Sequence, residues 1–391
     1  MTTPSGSKPN DASSMHEKTL RLERFARELG FDGFGVAGLG VTRTDNSNAV
    51  DRYREWLDLG YAGEMAYMGR NAEKRSDLDR VLPGVKSVIC LRTNYLTADK
   101  DMGFVNDRDR ADISLYALNE DYHDVLVKRL RALEEKIQEE FAGCKTRSYI
   151  DTGPILEKPL AQQAGLGWIG KHTNLITEDA GSYYFLSEIL LDVALTEAEP
   201  AVDRCGTCRS CIDICPTRAI VAPYVLDARK CISYLTIELK GVIPLEYRKA
   251  IGNRIYGCDD CQIVCPWNSY AVKTSEEAFR ERDGTRKLIE LLRLDDEGFR
   301  RRFRKSPVKR TKRRGLLRNV AVALGNSGNP EAVAPLTDAL SDPEPLIRAH
   351  AVWALGELLG GKALPILDDK LAAETEEIVL TEMHHLRQGQ G

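Results

Sequence analysis

The chain lacks any apolar run approaching the ~20 residues that a membrane-crossing helix requires, so nothing in it reads as a bilayer span. It also lacks an apolar leader, because Met1 to Asp11 is polar. Without an export signal the expected compartment is the cytoplasm, where thiols stay reduced and disulfides are not expected. Two nucleotide-binding motifs are present only in part. Gly165-Leu-Gly167-Trp-Ile-Gly170 fits the dinucleotide fingerprint, and Gly165-x4-Gly170-Lys171 approaches a P-loop. Both need a strand before and a helix after. The preceding Pro154 to Ala164 is helical in pattern, and His172 occupies the place of the P-loop Ser/Thr. Nucleotide binding is therefore set aside. What remains is a glycine-rich turn whose backbone can approach a cofactor closely.

Cysteine is what the chain does have. Eight of its ten cysteines fall between Cys205 and Cys265. The first run is Cys205-x2-Cys208-x2-Cys211-x3-Cys215-Pro216, the second Cys258-x2-Cys261-x3-Cys265-Pro266. This is the spacing of two-cluster bacterial ferredoxins, in which the fourth cysteine of one run ligates the other cluster. The second run is one cysteine short, and the isolated Cys231 can supply it. By elimination, Cys205, Cys208, Cys211 and Cys265 are assigned to one [4Fe–4S] cluster, and Cys215, Cys231, Cys258 and Cys261 to the other. Structural zinc also uses C-x2-C pairs, but it does not call for interleaved Cys-Pro endings. Cys90 and Cys144 lie outside the window and read as inert thiols.

At 391 residues the chain has room for two or three domains. Residues 1–16, rich in Ser, Thr, Gly and Pro, are expected to be a disordered tail. Residues 17–195 read as mixed α/β. Glu17 to Leu29 and Asp124 to Phe141 have helical apolar spacing, while Phe34–Leu39, Val85–Leu91 and Tyr184–Val193 suit buried strands. Residues 196–272 form the cluster module, shaped more by metal–thiolate bonds than by an apolar core. Within 273–391, Arg318-Asn-Val-Ala-Val-Ala-Leu-Gly325 and Ala351-Val-Trp-Ala-Leu-Gly356 repeat at an offset of 31. Each precedes a second apolar helix, as in HEAT-like helical pairs. Two repeats cannot cover their own faces, so they should dock on the cluster module. The expected fold class is α+β, with these three parts in order.

Charge is unevenly distributed. Arg300 to Arg314 holds ten Lys/Arg and no acid, so the net charge of −4 leaves −14 on everything else. A basic patch on an acidic protein points to a polyanion, with nucleic acid the foremost.

The chain resembles the epoxyqueuosine reductase family, cobalamin-dependent iron–sulfur enzymes of tRNA queuosine synthesis, from about residue 17 to the repeats. The residues that carry the resemblance are Tyr149-Ile-Asp151-Thr-Gly-Pro154, Ala164-Gly-Leu-Gly-Trp-Ile-Gly-Lys171, the cysteine runs and Cys231-Ile-Ser-Tyr-Leu-Thr-Ile-Glu238. Earlier matches are Gly63-Glu-Met65, Leu82-Pro-Gly-Val-Lys-Ser-Val-Ile89 and Tyr116-Ala-Leu-Asn-Glu-Asp-Tyr-His123.

The resemblance implies reduction of the epoxide of epoxyqueuosine at the anticodon wobble position, with electrons passing singly through the clusters to cobalamin. It implies Asp151 as proton donor, and burial against the corrin is expected to keep that carboxyl protonated. It places Arg75, Asp151, Gly170, Lys171, His172, Thr173 and Asn174 around the cobalamin, although His172 stands where the family carries Asn. His123 is read as a surface or capping residue and not as a cobalt ligand. Arg310, Lys312, Arg313 and Arg314 are expected to grip the anticodon stem-loop, and an external carrier such as a flavodoxin or ferredoxin to supply electrons. A monomer is the default. The alternatives are another corrinoid reductase of the reductive dehalogenase kind, an iron–sulfur electron-transfer protein, or an RNA-binding module with structural clusters.

Overall fold

The structure, a computed structural model, describes residues 9–39, 46–105, 107–281 and 286–389. Four antiparallel strands form the main sheet, in the spatial order Gly33–Gly38, Ser87–Asn94, Tyr184–Leu191, Thr146–Tyr149. Side chains alternate between the faces of a strand, and here both faces are covered. Ile89 and Leu91 pack with Leu22, Leu126 and Leu130 of the helices Pro9–Glu28 and Tyr122–Glu140. Val88 and Cys90 pack with Leu160 and Ala161 of the helix Glu157–Gln163 on the other side. Two-sided burial explains why Val88 to Leu91 is unbroken apolar sequence.

The first helix starts at Pro9 rather than Glu17. Residues 9–16, expected in a disordered tail, are its opening turns, since Pro is tolerated at the start of a helix and nothing after it breaks one. The rest of the expected tail, residues 1–8, lies outside the described residues.

The cysteine-rich segment is fused to the first region. Its strand Arg254–Tyr256 pairs in parallel with Asp112–Ile113. Asp259 accepts from Lys100 at 2.8 Å and from the Leu115 amide at 2.9 Å. Residues 273–280, expected with the repeats, pack back onto the N-terminal core instead, with the Phe279 ring 5.2 Å from Phe185. An apolar ring close in sequence to the last cysteine helps to close that core.

The repeats are helical pairs, Lys312–Ser327 with Val333–Ala339 and Pro345–Leu359 with Leu364–Lys370, closed by Glu377–Arg387. They dock on the cysteine-rich segment, as two unsupported repeats must. The buried Arg318 donates to the carbonyls of Leu235, Leu239 and Gly241, and Asn319 to those of Thr236 and Ile255. Among the described residues no helix is long and apolar enough to cross a membrane.

Candidate active site

The eight thiols fall into two groups. Cys205, Cys208, Cys211 and Cys265 line a cavity of about 360 Å³ with Trp267 and Tyr270. Cys215, Cys231, Cys258 and Cys261 line another of about 380 Å³. Local structure sets each ligand position. A turn closes Cys205 to Cys208, the helix Ser210–Ile214 presents Cys211, and Cys231 heads the helix Ile232–Ile237. Among the described residues no group of three or more His, Cys, Asp or Glu side chains could hold a single metal ion. Thiols spread around a cavity suit a wider inorganic cluster.

Burial pushes Cys258 and Cys261 well above the ordinary thiol range, and burial with the neighbouring Cys265, Cys205 and Cys208 pushes Cys211 to about 11. Such thiols keep their protons until a metal displaces them. Two buried donors also lack partners, Trp168 Nε1 beside Cys205 and His172 Nε2. Burial lowers His172 to about 4, and its Nδ1 accepts from the Asn174 amide, so the neutral ring carries its hydrogen on Nε2. A sulfide-bearing cluster would supply the missing acceptors. On these grounds the residues present fit iron–sulfur clusters.

Asp151 lines the same cavity as Cys215, Cys231, Cys258 and Cys261. It is not buried: its side chain is 40% exposed. The loop that follows strand Thr146–Tyr149 turns it outward. Nor does it cap the helix Glu157–Gln163, whose N-cap is Leu156. Tyr122 donates its phenolic hydrogen to one Asp151 oxygen, and His123 Nε2 lies 2.8 Å from the other. His123 Nδ1 is 2.8 Å from Asp121, whose carboxylate also accepts from the His123 amide at the start of the helix Tyr122–Glu140. Burial opposes charge on this imidazole, but the carboxylates of Asp121 and Asp151 outweigh it and raise His123 to about 9. The ring is therefore cationic at neutral pH, and both of its nitrogens are engaged. The sequence reading of His123 as merely capping missed this, because its second partner lies 28 residues away. The Tyr122 ring stacks at 4.2 Å on Phe185, which fixes its hydroxyl toward Asp151.

The glycine-rich turn is divided between two tasks. His172, Thr173 and Asn174 line the Asp151 cavity. Lys171, expected at the cofactor, turns away and donates to the carbonyls of Gly206 and Cys208. Gly170 gives its amide to the Asn174 carbonyl, and Arg75 gives its guanidinium to the carbonyls of Tyr67 and Met68. Neither is a lining residue of the described cavity. An adjoining cavity of about 530 Å³ shares Lys158, Thr173 and Leu226 and is walled by Trp56, Leu59, Leu156 and Ile169.

The basic run does not act as one patch. Arg313 is turned inward, doubly paired with Asp342 and bonded to the Leu294 carbonyl, and so drops out of the expected nucleic-acid grip. Arg310 lies 2.7 Å from Glu238, and Arg314 donates to the Lys240 carbonyl, while Lys312 is exposed. Lys309, not singled out from sequence, lies 3.3 Å from Asp121 and so ties the run to the Asp121–His123–Asp151 cluster.

Paired redox-cluster cavities, one of them shared with a proton-holding acid–imidazole cluster, define an iron–sulfur oxidoreductase. The comparisons agree. Residues 204–268 match the family model described as "4Fe-4S double cluster binding domain", residues 75–152 that of "Epoxyqueuosine reductase QueG, DUF1730", and residues 312–383 that of HEAT repeats. The epoxyqueuosine reductase of Escherichia coli (strain K12) is 41% identical over 93% of this chain and 95% of its own. That of Pseudomonas aeruginosa is 45% identical over 85% and 92%. Two crystal structures of epoxyqueuosine reductase, each 29% identical and covering 96% of this chain, superpose with TM-scores of 0.87 and 0.86 over 100% and 99% of theirs. The second holds an epoxyqueuosine-modified tRNA-Tyr stem loop. The chain belongs to the epoxyqueuosine reductase family.

Proposed function

We propose that this protein reduces epoxyqueuosine to queuosine at the wobble position of tRNA, with Cys205, Cys208, Cys211 and Cys265 holding one [4Fe–4S] cluster and Cys215, Cys231, Cys258 and Cys261 the other. The observation that carries the reading is the cavity shared by one thiol quartet and Asp151. Electrons arriving at that quartet are delivered next to a group that can move a proton. Cobalamin fits the joined clefts. Asp151 opens into one of them, the other is broader and more apolar, and Thr173 belongs to both. Asp151, His172, Thr173 and Asn174 would hold it, and when bound it supplies the reducing centre for the epoxide.

The chain's own residues provide the proton. An epoxide oxygen leaves as an alkoxide unless an acid protonates it. Asp151 is placed at the cavity, and His123 behind it holds a proton at neutral pH. Transfer from His123 Nε2 through the Asp151 carboxyl delivers that proton to the oxygen, while Tyr122 keeps the carboxyl in position. The proton thus comes from a neighbour of Asp151 rather than from a buried Asp151. The modified base must leave its stack to reach this cavity, and the repeats and basic segment offer the surface to hold the stem-loop. A low-potential carrier of the flavodoxin or ferredoxin kind would refill the clusters.

Anaerobic reconstitution with iron, sulfide and corrinoid, followed by reaction with epoxyqueuosine-containing tRNA and mass analysis of its nucleosides, tests the reading. The expected result is a queuosine nucleoside lighter by one oxygen. Unchanged epoxyqueuosine from fully reconstituted protein with a strong reductant present would overturn it.

A further inference from the structure

Two carboxyl groups behind Asp151 have no place in the mechanism so far. Glu188 is the one charged residue of the strand Tyr184–Leu191 and is fully buried. Its register partners are Cys90 on one side and Tyr149 on the other, so it faces the layer in which the helix Glu157–Gln163 lies. Glu157, at the start of that helix, lines the Asp151 cavity. Glu157 is the charged neighbour that acts most strongly on Glu188. Yet both oxygens of Glu188 and Oε1 of Glu157 are buried without a partner.

An ionised carboxylate can only accept hydrogen bonds. Two ionised carboxylates placed together in a buried site would repel and leave those oxygens unsatisfied. A carboxyl that keeps its proton becomes a donor to its neighbour, which removes both penalties. The nearby cations do not substitute. Lys158 gives its ammonium to the Thr173 carbonyl at 2.8 Å and is itself disfavoured as a cation by burial. Arg75 is engaged with backbone carbonyls. The remaining charged neighbour is Asp151, a further negative charge.

The reaction also has a need that matches. Opening an epoxide to an alkene with release of water consumes two electrons and two protons: both carbon–oxygen bonds break, the carbon–carbon double bond forms, and the oxygen takes up both protons. The electrons come from the external carrier through the clusters. One proton is assigned to the His123–Asp151 pair. Resting on that reaction, we infer that the Glu157–Glu188 pair stores the second proton and that Glu157 returns it to Asp151 after the first transfer. Glu188 acts as the fixed neutral donor that lets Glu157 release and regain its proton. Burial, then the Asp151 charge, raises Glu157 to about 7, and burial with the facing Glu157 raises Glu188 well above the carboxylate range. A group near 7 is matched to proton exchange at neutral pH.

The test uses reconstituted holoenzyme carrying Glu157→Gln or Glu188→Gln, with iron content and corrinoid absorbance confirming equal loading. In Glu157→Gln the new amide still offers a hydrogen to Glu188, so the fold is retained. Two readouts are taken. Single-turnover conversion of epoxyqueuosine tRNA is followed from pH 6 to 9, and the infrared carbonyl band of protonated carboxyl groups is followed over the same range. The wild type should lose rate as pH rises through about 7, with part of the band disappearing in parallel. Glu157→Gln should be slower by about 10²-fold, lack that limb and lack the titrating band. Superimposable pH profiles for the wild type and Glu157→Gln, or a wild-type band that does not change, would refute the proton store. A wild type that leaves epoxyqueuosine intact would refute the reaction itself, while the infrared band would still decide whether the pair holds a proton.

Discussion

Asp151 has a backbone φ of +48°, a left-handed conformation that costs most residues energy and that Asp and Asn tolerate best. Strain of this kind persists where surrounding structure enforces it, and here Tyr122 and His123 hold the side chain from both sides. The same feature selects the informative variant. Asp151→Asn keeps a residue suited to φ > 0 and keeps an acceptor for the Tyr122 hydroxyl, but it cannot relay a proton. It should retain both clusters and corrinoid binding, measured by iron content and absorbance, while conversion of epoxyqueuosine falls by about 10²- to 10⁴-fold. Turnover at the wild-type rate would remove Asp151 from the chemistry. Asp151 itself was legible in the Tyr149–Pro154 stretch. Its environment was not, because Tyr122 and His123 come from the start of the helix Tyr122–Glu140 and Glu188 from a neighbouring strand, all distant along the chain. One signal was nevertheless visible in the sequence: Glu188 is a lone charge inside a largely apolar strand, an arrangement that burial makes costly unless it is used.

At the level of elements, the short runs flanked by Gly and Pro became strands, and the regularly spaced leucines became helices, because local periodicity is set by local geometry. Strand order was not legible, since it depends on which distant segments share a face. The repeated Ala-Leu-Gly at Gly325 and Gly356 looked like one signal and has two physical meanings. A Cβ on Gly325 would lie 2.9 Å from the Ala354 Cα and 2.8 Å from the Trp353 ring, so the Lys312–Ser327 and Pro345–Leu359 helices would have to separate. A Cβ on Gly356 would meet only the flexible end of Leu386, at 2.7 Å. Replacing a helical Gly by Ala gains about 1 kcal/mol of helix propensity, whereas overpacking costs about 1–3 kcal/mol. Gly325→Ala should therefore be net destabilising, by up to about 2 kcal/mol, and Gly356→Ala close to neutral. Thermal denaturation of the two variants decides it, and equal midpoints would contradict the packing argument.

Across the whole molecule, the basic segment looked in the sequence like a single polyanion grip, yet folding partitions its charges by neighbour. Arg313 pairs with Asp342 inside the repeats, Arg310 is drawn to Glu238 and Lys309 to Asp121, whereas Arg300, Arg304 and Lys312 remain on the exposed surface. Counting charges along the chain could not show this, because the acids that neutralise them come from other elements. Phosphate binding scales with the cations that displace counterions, at about 0.7–0.9 in the slope of log affinity against log salt per contact. Replacing Arg300, Arg304 and Lys312 with Gln together should lower that slope by up to about 2–3 for tRNA, with thermal stability kept. Arg313→Gln should do the reverse. It leaves the half-buried Asp342 without its ion-pair partner, at a cost of about 1–3 kcal/mol, while the slope stays at the wild-type value. Filter binding of an anticodon stem-loop at several salt concentrations measures both variants. A slope unchanged in the triple variant, or reduced in Arg313→Gln, would mean that the exposed arginines and lysine are not the surface that holds the nucleic acid.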